Sequence, residues 1–72
     1  MTDREWLEAY SALLGVPAPD DEEFGLLLQL AGVAAHASER RAAPVACWMA
    51  ARCGVSAQDA LRLARSVTGD GG

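Results

Sequence analysis

The chain has 72 residues, a formal net charge of −4 and an apolar fraction of 51%. That length makes one domain with a small core. The acidic balance and the lack of any lysine argue against a generic nucleic-acid-binding face, and Gln29 breaks the longest apolar run, Leu26 to Ala35, so no membrane span is expected.

The first helix is expected over residues 3–14. Thr2 with Glu5 reads as a capping box, and Gly15 supplies a stop before the turn VPAP. Trp6, Leu7, Tyr10, Leu13 and Leu14 fall on one face, predicted to pack inward, with Glu5 and Glu8 outside. The second helix is expected over 21–40, with Asp20 as N-cap and acids filling the first turn, where the helix dipole favours them. Its apolar arc, from Phe24, Leu27, Leu28 and Ala31 round to Leu26, Leu30 and Val33, spans about 220° against the ~100° of an ordinary surface helix, which predicts a central, buried element. The strip left over is Gly25, Gln29, Gly32, His36 and Arg40. Two glycines inside a helix cost roughly 1 kcal/mol each relative to alanine, so close approach of another backbone, from this chain or a partner, is expected along that strip.

The third helix is expected over 44–53, with Pro44 at its first position and Gly54 at its end. It divides by size: Ala46, Cys47, Ala50 and Ala51 lie on one side, Val45, Trp48, Met49 and Arg52 on the other. The small side should pack closely on another helix, and the large side should cover the core or make a contact. The fourth helix, over 57–68 with Ser56 as N-cap, turns Ala57, Ala60, Leu61, Ala64 and Val67 inward and Gln58, Arg62 and Arg65 outward. Residues 69–72, GDGG, are expected to form a flexible tail. Nothing alternates with period two over a useful length, so the fold class is all-α: a single four-helix bundle-like domain over 1–68.

Fifteen alanines and only four aromatic residues give this core little volume. A domain so composed needs either tight helix packing or a partner surface, most simply a second copy of itself. Cys47 and Cys53 would point about 120° apart on one helix and cannot bond to each other there, so the thiols are expected to be reduced, in a cytoplasm.

Four candidate sites stand out. His36, Arg40 and Arg41 gather at the end of the second helix, where its dipole favours cations. With free amides at the start of the third helix behind Pro44, this 36–44 turn could hold a small anion or nucleotide. The bland reading is a histidine bonded to a nearby carbonyl and arginines that cap the helix end or pair with acids. The second candidate is residues 46–66, whose Ala50, Gly54 and Ser56 resemble a helix-turn-helix with Gln58, Arg62 and Arg65 as the DNA-facing side chains. Asp59 at the start of the would-be recognition helix opposes phosphates, so nucleic acid is not the favoured partner. His36, Cys47 and Cys53 are too few and wrongly spaced for a zinc site, and no metal or cofactor is expected. A catalytic cysteine is likewise unexpected, with Cys47 placed for burial and Cys53 at a helix C-terminus that opposes a thiolate.

The combination of EWL at 5–7, LG at 14–15, LLLQLAGVAAH at 26–36 and RRAAP at 40–44 resembles a small bacterial helical domain family of unknown function. The resemblance covers residues 4 to 67, and His36, Arg41, Ala43 and Pro44 are its matched positions. Cys47-Trp48-Met49 departs from the aromatic-leucine pair expected there. Members of that family occur alone or fused to molybdenum cofactor guanylyltransferase-like proteins, which implies a role near molybdopterin-dinucleotide assembly or molybdoenzyme maturation. It supplies no catalytic residues. The expectation is therefore a non-enzymatic accessory or interaction module, a homodimer or other homo-oligomer or bound to a protein partner, through Gly25, Gln29, Gly32, His36 and the turn that holds Arg40, Arg41 and Pro44.

Overall fold

The computed structural model describes residues 1–68; the tail expected at 69–72 lies outside the described residues. Four helices follow in order: α1 (Asp3–Leu14), α2 (Asp21–Ala37), α3 (Ala42–Cys53) and α4 (Ala57–Thr68). Among the described residues there is no strand. The domain is all-α and bundle-like, as its sequence pattern requires.

The caps explain most of the boundaries. Thr2 Oγ1 accepts from the Glu5 amide at 3.1 Å, and the Thr2 amide donates to Glu5 Oε1 at 2.7 Å, which closes the capping box of α1. Gly15 ends that helix at φ 77°, a left-handed conformation that glycine adopts without a Cβ clash. Asp20 Oδ1 accepts from the Glu23 amide at 2.8 Å to start α2, and Ser56 Oγ accepts from the Asp59 amide at 3.1 Å to start α4. Gly54, at φ 84°, turns the chain between α3 and α4.

Two boundaries differ from expectation. α2 ends at Ala37 and not at residue 40, because Ser38 leaves helical geometry at φ −136°, ψ −103°. α3 begins at Ala42 and not at Pro44. The carbonyls of Glu39 and Arg40 accept from the amides of Ala42 at 2.9 Å and Ala43 at 3.1 Å, so residues 39–43 form a turn that runs directly into α3. Pro44 thus occupies the third helical position, still within the first turn, where a missing N–H breaks no intrahelical bond.

α2 lies at the centre, with α3 and α4 packed chiefly against it. The buried core is Leu30, Ala60 and Leu61, with Leu26, Leu27, Val33, Cys47, Ala50, Val55 and Ala64 partly buried around them. Burying a leucine such as Leu30 contributes roughly 1.5–3 kcal/mol, so three small buried positions make a thin core. Of the small side of α3, Ala46, Cys47 and Ala50 are half-buried and Ala51 is exposed, while Val45, Trp48 and Met49 on the other side remain exposed.

One face and two single residues expected inside are outside. Trp6, Tyr10, Leu13 and Leu14 of α1 are exposed, Leu13 at 88%; only Leu7 of that face is half-buried. Leu28 of α2 is 61% exposed, and Val67 of α4 is 86% exposed. The helical period shows that an apolar face exists; it does not show that this chain has an element to cover it.

Candidate functional site

α1 is fastened to the rest of the molecule at its N-terminal end. The Arg4 guanidinium pairs with the Asp21 carboxylate, donates to the Pro19 carbonyl at 3.4 Å and lies 4.1 Å above the Phe24 ring. This cation–π and ion-pair contact holds α1 beside the start of α2. Beyond it, Trp6 and Tyr10 rest against each other, ring centres 5.1 Å apart, and no element covers their outer faces.

Between α3 and α4 lies an open trough floored by α2. Two hollows form it, about 320 and 350 Å³, which share Ala46, Met49, Ala64 and Val67. Val33, Ala34 and Ala37 line one end and Leu30 the other, and among the described residues Ser38 is the only hydroxyl in the lining. The trough arises because α3 and α4 both turn their small residues toward α2 and do not close on each other.

The turn after α2 holds the expected polar group, but not as an anion cradle. His36, Arg40 and Arg41 are all exposed. His36 makes no hydrogen bond among the described residues, so the expected carbonyl partner is absent. Arg41 Nε sits 3.3 Å from Glu39 Oε2 in an exposed pair, worth about 0–1 kcal/mol. The free amides expected behind Pro44 are not free: those of Ala42 and Ala43 are spent on the preceding turn, and Pro44 has none.

The glycine strip is open. A Cβ added at Gly25 or Gly32 would meet nothing within 4 Å, so the close backbone approach expected there is not made within this chain. Gln29 Oε1 accepts from Arg65 Nη2 at 3.3 Å. That contact draws Arg65 toward α2; of the other two candidate DNA-facing side chains, Gln58 is exposed and Arg62 pairs with the Asp59 carboxylate at 3.5 Å.

Among the described residues no group of three or more His, Cys, Asp or Glu side chains could hold a metal ion. Both cysteines are free thiols, Cys53 exposed and Cys47 half-buried, and burial pushes the Cys47 thiol up from its ordinary pKa. No helix among the described residues is long and apolar enough to cross a membrane.

A family model for a domain of unknown function (DUF6457) matches residues 2–70, nearly the whole chain. The chain belongs to this family. No curated protein and no solved structure matches it. The DUF6457 match spans all four helices, so the α1 face and the trough both lie inside the family's domain.

Those two surfaces are what the sequence reading missed. One signal was legible: α3 carries its bulky residues on one side, expected either to cover the core or to make a contact.

Proposed function

We propose that this DUF6457 domain is a non-enzymatic helical interaction module that associates with a second copy of itself. One observation carries the reading: the chain leaves far too much of itself exposed for a monomer of its mass. Its accessible surface is 5459 Å² for 7.5 kDa. A compact monomer of that mass exposes about 4,200 Å². The excess is about 900–1,200 Å², the lower figure after granting residues 69–72 the full exposure of an extended chain. Large apolar side chains are among what is left exposed, with Trp6, Tyr10 and Leu13 on α1 and Trp48, Met49 and Val67 on α3 and α4. Contiguous apolar surface beyond a few hundred Å² marks an interface in soluble proteins.

The strip of Gly25, Gln29, Gly32 and His36, with exposed Leu28 between its glycines, is a second candidate contact, as is the turn carrying Arg40, Arg41 and Pro44. The two unpaired thiols support a reducing, cytoplasmic setting. The resemblance carried by RRAAP and its flanking segments extends the proposal to proteins of molybdenum-cofactor assembly as the larger context. Binding between the purified domain and a molybdenum cofactor guanylyltransferase from the same cell tests that extension; no measurable binding removes it.

Sedimentation equilibrium of the full chain tests self-association. The expected result is a mass twice that of the 7.5 kDa chain at micromolar concentration. A single 7.5 kDa species up to about 1 mM, where affinity falls to roughly −4 kcal/mol, would remove the proposal.

A further inference from the structure

We infer that α1 of one copy lies in the α3–α4 trough of a second copy, and that the exchange is reciprocal, so that each domain completes the other. The inference rests on the self-association proposed above and adds which surface meets which. The two partners are apolar surfaces that nothing covers among the described residues. α1 is a helix with a bare face of Trp6, Tyr10, Leu13 and Leu14; the trough is an open, almost wholly apolar hollow between two helices. α1, α3 and α4 are each 12 residues long, about 18 Å, so the helix and the walls of the trough match in length.

α1 does not reach the trough of its own chain. Arg4 ties it to Pro19, Asp21 and Phe24 at the start of α2, while one end of the trough is formed by Val33, Ala37 and Ser38, about 20 Å along the same helix. A second copy removes that obstacle.

Charge and area both agree. α1 carries Asp3, Glu5 and Glu8 against Arg4. The trough ends beside His36, Arg40 and Arg41, all exposed, and α3 has no acid along its length. Opposite charges at the margin favour seating the N-terminal half of α1 at that end. Covering the excess on both chains would bury about 1,800–2,400 Å², which spans the standard interface and the lower range of obligate homodimers.

Two single-site variants and their mixture test the exchange. Trp6→Glu spoils the α1 face, and Met49→Glu spoils the trough. Both side chains are more than half exposed in the single domain, so its own core is untouched. In a symmetric pair each change is suffered twice, so each variant alone should dimerise about a thousand-fold more weakly. Mixed together, they should form a heterodimer more readily than either forms a homodimer, because the Trp6→Glu chain's trough and the Met49→Glu chain's α1 make one intact seat and both changes fall together in the other. Native mass spectrometry of differently tagged chains reads this directly, and circular dichroism confirms that each variant is helical. Leu13→Glu with Val67→Glu is the second pair, at the two most exposed positions of the two surfaces. A heterodimer preferred in the mixture supports the exchange. A wild-type dimer whose variants show no such preference on mixing, or that survives Met49→Glu and Val67→Glu, overturns the exchange and leaves self-association standing. A wild-type monomer overturns both.

Discussion

Leu30 is the residue on which the single domain depends most. It is 2% exposed and clusters with Ala60 and Leu61, the two other buried side chains among the described residues. Leu30→Ala should cost about 2–5 kcal/mol, read as a lowered denaturation midpoint at unchanged slope. Gly32→Ala should act in the other direction. Its Cβ meets open space and alanine is the better helix former, so the isolated domain gains about 0.5–1 kcal/mol. A loss of stability would mean that another backbone lies against Gly32. Cys47 and Cys53 differ in the same legible way. Burial makes the Cys47 thiolate the harder to form, so a thiol reagent should modify Cys53 first in a monomeric variant such as Trp6→Glu. The folded Cys47 pKa is raised, so its contribution to stability is complete below the ordinary thiol value of about 8.5 and declines as pH rises beyond it.

At the scale of elements, α1 is the least secured. Twelve residues are marginal as an isolated helix, and its attachment is the Arg4 cluster plus half-buried Leu7. Arg4→Ala should loosen α1 while α2 stays protected. Hydrogen exchange on Trp6→Glu with and without that change checks it: amides of α1 should exchange faster and those around Leu30 should not. Equal protection of α1 in both would mean that Arg4 is not its tether. The caps at Thr2, Asp20, Ser56, Gly15 and Gly54 were all legible, since each is a local bond or a local backbone conformation that one residue type favours. The end of α2 was not. Glu39, Arg40 and Arg41 are good helix formers with no glycine or proline among them, yet the chain leaves the helix at Ser38 and turns through the bonds to Ala42 and Ala43. The same limit hid the candidate surfaces. The period of α1 places Trp6, Tyr10 and Leu13 on one face, but which body covers that face is a matter of tertiary geometry.

For the molecule as a whole, the thin core and the large surface are one fact. A chain with fifteen alanines buries little on its own, and its bulky residues, Trp6, Trp48, Met49 and Leu63, are left on the outside. Charge is divided along the chain in the same fashion, with a net of −6 over residues 1–35 (seven acids, one arginine) and +2 over 36–72 (five arginines, three acids). Both divisions suit a molecule whose first part meets the second part of another copy. If that meeting supplies the missing stability, folding and association are one equilibrium. The most direct measurement is the thermal unfolding midpoint of the wild-type chain across a hundred-fold range of concentration. A midpoint that climbs by about 5–10 °C with concentration is the expected result. A midpoint that does not move would show that a single copy is stable with its aromatic helix face bare, contrary to everything inferred from its surface.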